Sequence, residues 1–437
     1  MLKKLFKWLR GGRVATLSII PRSQHKISRK DINHNALKVL YRLNKAGYSA
    51  YLVGGCIRDL LLGHHPKDFD IATDASPEQV KDLFYNCRLI GRRFRLAHVH
   101  FGRDIIEVAT FRTHHAVSTV QNAHGMILND NVYGEIEEDV LRRDFTVNAL
   151  YYNIADFSVV DFVSGMQDLE KRQLNMIGDP AVRYKEDPVR MLRAIRFAAK
   201  LDFTIHPNSA KPIHELNKLL ANIPAARLFE EYSKLFLTGH AYNTFKMLSE
   251  YGLFTQLFPR TAKFLPDNQL IIQALRNTDA RVNAEKSVAP SFLLAVFSWQ
   301  PMLEQAKHNI EHGQTEFTAY SDAMDKVLSE QQRVMAVPRR YVGMIRDVWE
   351  LQSRLERKRS ARHIAAVFAL SKFRAAYDFL LLRAEAGEPE AVIAANWWRS
   401  YVEADEATRE TMAAKFKAPK GKSKKGKGKS KKSVTHE

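Results

Sequence analysis

Cysteine is almost absent from this sequence, since only Cys56 and Cys87 occur among its 437 residues. Two thiols are too few for a disulfide scaffold or for a zinc site with four cysteine ligands, and they are typical of a reducing compartment. Long apolar runs are also missing, because no window holds the roughly 18 consecutive apolar residues that a spanning helix needs. We therefore expect a cytoplasmic protein and exclude an integral membrane protein.

Acidic residues are missing from both ends of the chain. Residues 1–30 hold nine Lys and Arg and no acid, and residues 415–437 hold ten Lys and one acid, Glu437. Each end thus carries +9 of the formal net charge of +19, so residues 31–414 are close to neutral. Two basic arms around a near-neutral body predict a polyanionic partner for the arms and specific chemistry in the body.

The two arms differ in composition. The C-terminal arm is a Lys/Gly/Ser tract that cannot bury enough apolar surface to order itself, and we predict disorder there. The N-terminal stretch MLKKLFKWLRGG places leucines and a phenylalanine on one helical face. It is either a membrane-surface or partner-binding helix or a solvated basic leader. So short a helix buries little, so we favour the leader and do not expect membrane contact.

The first group of candidate functional residues lies in LVGGCIRDLLLG and the following DFDIAT. Gly54 and Gly55 stand at a predicted strand-to-helix turn, where the backbone can approach a phosphate. Asp68 and Asp70 are two residues apart in a predicted strand, so they share a face. Adjacent carboxylates repel each other unless a cation lies between them, and Mg²⁺ suits carboxylates combined with substrate phosphates. Each feature alone occurs often by chance, but their spacing favours a metal–nucleotide site.

A third carboxylate is expected on a neighbouring strand, and Glu107 in DIIEVATFR qualifies by type and context. Its neighbours Ile106 and Val108 are equally compatible with a glutamate on the exposed face of a strand. Both interpretations stay open from the sequence.

The second group is RRDFTVNAL, in which Arg142, Arg143 and Asp144 precede an apolar stretch. Two guanidinium groups can bind a triphosphate, and Asp144 can orient them or join the metal site. The alternative is an exposed helix start that Asp144 caps.

The third group lies in YKEDPVRMLRAIRFAAKL. Pro188 predicts a helix start, which places Asp187 at or near the cap, and Arg190 and Arg193 on one helix face. An aspartate and an arginine held together offer an acceptor and a donor fork that can read the edge of a base. The alternative is a capped helix with a surface ion pair.

These motifs occur in this order within residues 51–203, as LVGGCIRDLLLG with DFDIAT, RRDFTVNALYYN and YKEDPVRMLRAIRFAAKL. In combination they closely resemble the bacterial, class II branch of the nucleotidyltransferase superfamily related to DNA polymerase β. That branch contains the CCA-adding tRNA nucleotidyltransferases and the bacterial poly(A) polymerases. The stretches GRRFRLAHVHFGRDIIEVATFR, PAARLFEE and FRAAYDFLLLRAE, with the basic tail, are most similar to the poly(A) polymerases of Gram-negative bacteria.

The resemblance implies an α+β protein, with a polymerase-β-like nucleotidyltransferase head of mixed sheet and helices before all-α neck, body and tail regions. The expected boundaries are 1–30 for the basic N-terminal arm, 31–155 for the head, 156–225 for the neck with its base-recognition helix, 226–414 for the helical RNA-binding body and 415–437 for the disordered tail.

Residue by residue, the resemblance implies that Asp68 and Asp70 hold two Mg²⁺ ions, with Glu107 or Asp144 completing the metal site. Asp68, Asp70 and Asp144 are the expected catalytic residues. The expected nucleotide-binding residues are Gly54, Gly55, Arg58, Arg143, Asp187, Arg190 and Arg193.

The expected activity is template-independent addition of AMP from ATP to the 3′ ends of mRNA and of small or structured RNAs, which promotes RNA decay. RNA-decay factors are candidate partners, and we expect a monomer. One alternative is a CCA-adding enzyme, which shares the catalytic residues. A second is an RNA-binding protein with a relic nucleotidyltransferase head, which the intact acidic pair argues against.

Overall fold

The structure is a computed structural model that describes residues 17–91, 95–113, 120–121, 127–129, 132–265, 268–357 and 360–416. The stretch MLKKLFKWLRGG and residues 417–437 of the predicted disordered tail lie outside these ranges. None of the helices in the ranges described has both the length and the apolar character needed to cross a membrane.

The strands are β1 (Ser18–Ile20), β2 (Ala50–Val53), β3 (Asp70–Thr73), β4 (Cys87–Ile90), β5 (Leu96–Phe101), β6 (Asp104–Thr110), β7 (Val120–Gln121), β8 (Ile127–Asn129), β9 (Leu150–Asn153), β10 (Val159–Asp161), β11 (Gln173–Leu174) and β12 (Thr204–Ile205). The main sheet has the order β1-β10-β9-β2-β3-β6-β5-β4. Its β3–β6 pair is parallel and its other pairs are antiparallel. This mixed sheet confirms the fold class.

The helices of the first half are α1 (His34–Lys45), α2 (Gly55–Leu61), α3 (Pro77–Leu83), α4 (Ile136–Arg142), α5 (Gly165–Glu170), α6 (Pro180–Glu186), α7 (Val189–Leu201), α8 (Pro207–Leu216), α9 (Ala225–Phe236), α10 (Ala241–Glu250) and α11 (Leu253–Leu257). The helices of the second half are α12 (Gln269–Asn283), α13 (Pro290–Glu311), α14 (Glu316–Val334), α15 (Arg339–Glu356), α16 (Ala361–Phe368), α17 (Phe373–Glu385), α18 (Pro389–Glu403) and α19 (Glu406–Ala414). Beyond residue 185 the described chain is helical apart from β12, as the periodicity predicts.

Two sequence-based boundaries are wrong. The amphipathic pattern of ISRKDINHNALKVLYRLNKAG predicts a helix over 27–47. The helix begins only at His34, because the Asn33 side chain caps it by accepting from the backbone N–H groups of Asn35 and Ala36. The predicted strand DFDIAT begins at Asp70, so Asp68 lies before the strand and not within it. The sequence Ser76-Pro77-Glu78 predicts a helix start with Ser76 as its cap. This start is confirmed, since Ser76 and Gln79 form a reciprocal capping box.

The chain divides into two compact units. The first comprises residues 1–265, 275–288 and 325–337, and it contains the sheet and all the candidate site residues. Its sheet core packs α1 through Val39, Leu40 and Leu43, which recur on one helix face.

The second unit comprises residues 266–274, 289–324 and 338–437, and its described residues are helical. Its core is aromatic and aliphatic around Trp398, which is fully buried and donates its indole N–H to the Leu355 carbonyl oxygen at 2.8 Å. The neighbouring Trp397 packs against this core.

Candidate active site

The turn between β2 and α2 requires glycine at its first position. Gly54 has φ +77° and ψ −137°, a conformation that side chains strongly disfavour, and Gly55 is the first residue of α2. A Cβ atom at Gly54 would lie 3.5 Å from Nη1 of Arg143, so the guanidinium of the second motif faces the glycine turn of the first.

The two acids of DFDIAT lie at the start of β3. Asp70 is the first residue of that strand and Asp68 is two residues earlier, and both are exposed. Phe69 between them is buried in the sheet core, as the alternation predicts. The buried ring holds the two acids at the start of β3.

The register of the parallel β3–β6 pair places Glu107 beside this acidic pair. Ile71 is paired with Val108, so the residues that precede them, Asp70 and Glu107, are neighbours. The Glu107 carboxylate also lies 3.3 Å from Nε2 of His98 on β5. Glu107 is therefore both an exposed residue of β6 and a neighbour of the acidic pair, so both interpretations of its position apply.

The pKa of Asp70 reflects this crowding. Desolvation by the surrounding protein raises the pKa of Asp70 to about 6, the Glu107 and Asp68 carboxylates add to the rise, and Arg143 opposes it. A cation between these carboxylates would offset their mutual repulsion and so lower the pKa of Asp70.

The donor set matches magnesium in type. Among the residues that the structure describes, no group of three or more His, Cys, Asp or Glu side chains is arranged to hold a metal ion. Magnesium commonly takes one or two protein carboxylates and completes its shell with substrate phosphates and water, so a partial set of crowded oxygens is compatible with it.

Two buried groups fix the orientation of Arg143. Its guanidinium donates to the Asp139 carboxylate at 3.1 and 3.2 Å and to the Tyr151 hydroxyl at 2.7 Å. Tyr151 in turn donates to Asp139 at 2.7 Å, which closes the triad. Desolvation lowers the pKa of Arg143, but Tyr151 and Asp139 more than offset it and raise the value, so this cation is held permanently beside Gly54.

Other guanidinium groups gather around Arg142, the last residue of α4. Desolvation and the nearby charges of Arg112, Arg143, Arg183 and Arg190 lower the pKa of Arg142 to about 9. The gathering of several guanidinium groups in partly buried surroundings is compatible with a site for a highly charged anion, because a bound polyphosphate would stabilise these cations together.

Arg58 lies inside the fold. Its side chain is buried, and it donates to both the Asp59 carboxylate, at 2.6 and 2.8 Å, and the Asn148 side-chain oxygen at 2.5 Å. A Cβ atom at Gly55 would lie 3.4 Å from its guanidinium. These contacts place Arg58 next to the glycine turn, where its hydrogen bond to Asn148 links α2 to the RRDFTVNAL segment.

Asp144 connects the same segment to α7. Its carboxylate accepts from Arg193 at 2.7 Å, from the Phe145 backbone N–H at 2.8 Å and from the Asn148 amide at 3.2 Å. Burial would raise the pKa of Asp144, but Arg193 and the other donors lower it to about 2. Asp144 is thus an ionised anchor for Arg193.

The expected base-reading residues lie at the junction of α6 and α7, and each has a partner of its own. Asp187 forms a bidentate pair with Arg227 of α9 at 2.7 and 2.9 Å. Arg190 donates to the Glu186 carboxylate at 2.9 Å and to the Arg183 carbonyl oxygen at 2.8 Å. Arg227 of α9 therefore holds Asp187 in place, and Arg183 and Glu186 of α6 hold Arg190 in place.

Sequence reasoning missed the residues that orient the expected site residues or add charge beside them. They are Arg112, Asp139, Asn148, Tyr151, Arg183 and Arg227. Asp139 lies four residues before Arg143 on a helix, a spacing that could have indicated an ion pair. Arg227 lies in PAARLFEE, which carried a resemblance but no residue role, and its partner is 40 residues away in the sequence.

Three family models match the chain. Residues 50–175 match the poly A polymerase head domain, and residues 202–265 match a family described as the probable RNA and SrmB-binding site of polymerase A. Residues 312–432 match the polymerase A arginine-rich C-terminus.

Curated relatives are similar over most of the chain. Poly(A) polymerase I of Salmonella typhimurium is 52% identical over 399 residues, which cover 88% of this chain and 86% of the relative. Poly(A) polymerase I of Haemophilus influenzae is 47% identical and covers 90% of each chain. A CCA-adding enzyme of Lactobacillus helveticus is 35% identical over 55% of this chain and 58% of its own length.

Solved structures show the same fold at low sequence identity. The Thermotoga maritima CCA-adding enzyme complexed with tRNA has a TM-score of 0.62 and 21% identity, covering 88% of this chain and 86% of that one. The Bacillus stearothermophilus CCA-adding enzyme in complex with CTP has a TM-score of 0.55 and 24% identity, covering 83% of this chain and 80% of that one.

Proposed function

This chain belongs to the bacterial poly(A) polymerase family, and on that basis we propose that it adds AMP units from ATP to RNA 3′ ends without a template. The observation that carries the proposal is the position of Arg143 at the glycine turn beside the acidic strand end. One place thus offers carboxylates for metal, a fixed cation for phosphate and a turn that a phosphate can approach closely.

We propose that Asp68, Asp70 and Glu107 hold two Mg²⁺ ions. When bound, the metal supplies acidification of the RNA 3′-hydroxyl and neutralisation of the departing pyrophosphate. Glu107 is favoured over Asp144 as the third ligand, because the Asp144 carboxylate already accepts from Arg193 and Phe145, whereas Glu107 contributes directly to the raised pKa of Asp70.

We assign the triphosphate to Arg143, which faces the glycine turn, and to the guanidinium groups near it. Arg143 is oriented by its buried triad, and Arg112 and Arg142 add charge around it. A preorganised cation stabilises developing negative charge without reorganising during the reaction. Arg58 holds α2 in position through its hydrogen bond to Asn148, and Asp144 holds the Arg193 guanidinium in position.

The adenine base is assigned to Asp187 and Arg190. Asp187 can accept from the exocyclic amino group of adenine, and Arg190 can donate to the neighbouring ring nitrogen. Their partners Arg227 and Glu186 hold these two side chains in the same region.

The test is an extension assay with RNA and each nucleoside triphosphate supplied separately. Long products with ATP alone support the proposal. Incorporation of CTP followed by a single A would instead establish the CCA-adding alternative. An absence of both products and of pyrophosphate release would establish the relic-head alternative.

Three accompanying expectations remain proposals. A cytoplasmic location is supported by Cys56 and Cys87, which are both free and buried. RNA-decay factors are candidate partners, supported by the match of residues 202–265 to a probable RNA and SrmB-binding family. A monomeric state is to be checked by light scattering of the purified protein.

A further inference from the structure

A histidine lies beside the proposed metal site on the next strand of the sheet. In the antiparallel β5–β6 pair, His98 is directly opposite Glu107. On the other side of β6, Asp70 is the neighbour of Glu107, because it precedes the Ile71–Val108 pair. Residues opposite each other on neighbouring strands lie close enough for their side chains to interact. We call Asp70, Glu107 and His98 together the acid–histidine row.

The side chains of the acid–histidine row lie on the same face of the sheet. Ala97 and Val99, the residues before and after His98, are buried in the sheet core. The residues before and after Glu107 and Asp70 belong to the same core. Because side chains alternate between the two faces of a strand, all three members of the row face away from that core.

The Nε2 atom of His98 is buried and has no hydrogen bond within the described chain. The Oε1 atom of Glu107 lies 3.3 Å from it, which is within reach, but the two groups are not aligned as a hydrogen bond. The His98 side chain is 16% exposed and the Glu107 side chain is 49% exposed. Buried polar atoms without a partner are rare in proteins. Rotation of the half-exposed glutamate would give this nitrogen a partner.

We propose that His98 is a positioning residue for the metal site, which donates its Nε2–H to the Glu107 carboxylate and orients that carboxylate for ligation. The inference rests on the proposed role of Glu107 as the third ligand. Carboxylates that ligate metals are commonly hydrogen-bonded by an outer group, which sets their orientation. A neutral imidazole can carry its proton on Nε2, so His98 can serve as this outer group.

Glu107 needs an orienting partner more than Asp70 does. A glutamate side chain has one more rotatable bond than an aspartate, and a half-exposed glutamate loses more rotamer freedom when it is fixed. A carboxylate oxygen that accepts from His98 leaves the second oxygen available to a cation. His98 therefore reduces the ordering that metal binding requires of Glu107.

The experiment measures Mn²⁺ binding to the full chain by electron paramagnetic resonance, because Mn²⁺ takes the same oxygen ligands as Mg²⁺. His98→Phe keeps a ring on the strand and removes the donor. We expect the Mn²⁺ dissociation constant to rise about tenfold or more, the scale on which outer partners affect metal affinity. The Mg²⁺ concentration that gives half-maximal AMP incorporation should rise by a similar factor.

Two further variants serve as rescue and control. His98→Gln replaces the ring N–H with an amide donor at a similar reach, and we expect a dissociation constant within about threefold of the parent value. His100→Phe makes the same change on the same face of β5, at a residue that is opposite Ile105 and not Glu107. It should keep the parent affinity. An equal loss in His98→Phe and His100→Phe would show a general effect of β5 and overturn the inference.

A purely structural role of His98 predicts a different result. The melting temperature and kcat of His98→Phe would fall at every metal concentration, while its Mn²⁺ dissociation constant would stay at the parent value. That result overturns the inference. Should His98→Phe fail to fold, as judged by its thermal transition, His98→Val decides the question by the same constant, because valine also lacks the donor and suits a strand.

Glu107→Gln separates this inference from the proposed function. Parent-like Mn²⁺ affinity in Glu107→Gln overturns the ligand role of Glu107 and the role of His98 with it. Weakened binding in Glu107→Gln, together with parent-like binding in folded His98→Phe, overturns only the role of His98. A parent protein that does not extend RNA with ATP overturns the proposed activity, whereas the Mn²⁺ dissociation constants still decide the role of His98.

Discussion

At the scale of the residue, Asp70 lies at the proposed metal site in surroundings that raise its pKa. Desolvation and the Glu107 carboxylate raise its pKa to about 6, so ionisation of this group costs more free energy in the folded protein without metal than in the unfolded chain. We expect Asp70→Asn to lose at least ~10³-fold in AMP incorporation, about 4 kcal/mol in activation free energy, because a ligand charge is lost at the transition state. The same change should leave the melting temperature unchanged or higher.

Asp82→Asn provides the control for this variant. Asp82 is an exposed acid on α3, so the same chemical change there should affect neither rate nor stability. Pyrophosphate release and thermal unfolding measure the two effects. Near-full activity of a folded Asp70→Asn protein would show that Asp70 is not a metal ligand.

Asp144 is the opposite case, a carboxylate whose pKa is lowered to about 2, mainly by Arg193, against the effect of burial. Because the folded-state pKa lies below the unfolded value, the ionised group stabilises the fold above about pH 4, and this stabilisation is lost as the pH falls towards 2. We expect Asp144→Asn to unfold with about 2 kcal/mol less free energy at pH 6. The difference between the two proteins should shrink below pH 4.

Urea unfolding of both proteins between pH 2 and pH 6 measures this effect. A difference that stays constant with pH would mean that Asp144→Asn acts by packing and not through the charge of the carboxylate.

The sequence predicted the types and positions of the candidate residues better than their partners. Asp68 and Asp70 stand together as expected, since their separation is local and the buried Phe69 sets it. The partner of Asp187 could not be predicted, because Arg227 comes from another helix and local periodicity contains no information on which helices pack together. The roles of the site residues stay predictions until variants are measured.

At the scale of the element, the β2–α2 turn can be tested with a pair of glycines. Gly54 and Gly47 both have positive φ values, +77° and +91°, so alanine at either position should destabilise the protein by about 1–3 kcal/mol. Only the Gly54 methyl group would lie near Arg143, at 3.5 Å, whereas a methyl group at Gly47 meets nothing within 4 Å.

A methyl group at Gly54 would occupy the space in which we expect a phosphate to approach Arg143, so we expect Gly54→Ala, and not Gly47→Ala, to raise the KM for ATP at least about tenfold, the scale of one hydrogen bond between phosphate and a charged group. Denaturant unfolding and steady-state kinetics of both variants give the comparison. Equal KM values in the two variants would place the triphosphate away from the glycine turn.

Element types were easier to predict than element ends. Apolar periodicity indicated α1 and β3 correctly, since α1 buries one face in the sheet core and the apolar residues Ile71 and Ala72 of β3 are both buried. The predicted starts of both elements were wrong. Asn33 caps α1, so the helix begins after it although the apolar pattern starts earlier. Asp68 lies outside the hydrogen-bonded register of β3, which begins at Asp70. A cap is decided by one side chain, so a pattern of many residues does not resolve it.

At the scale of the whole molecule, charge is divided between a near-neutral body and basic ends. Lysine–phosphate contacts carry no sequence preference, so ten lysines in residues 415–437 would suit a protein that binds many different RNAs. The described chain reaches Phe416, whose ring packs on Trp397 at 5.5 Å, and truncation after Phe416 therefore leaves the helical core of the second unit intact.

Deletion of residues 417–437 should weaken RNA binding and flatten its dependence on salt, while leaving the preference for ATP unchanged. Each phosphate contact to single-stranded RNA contributes about −0.7 to the slope of log affinity against log salt, so loss of six contacts changes the slope by about 4. RNA affinity measured at several KCl concentrations gives this slope for both proteins. A tail of equal length with serine in place of lysine separates charge from chain length, because it should behave like the deletion. An unchanged slope in the truncated protein would move the main RNA contacts to the folded units.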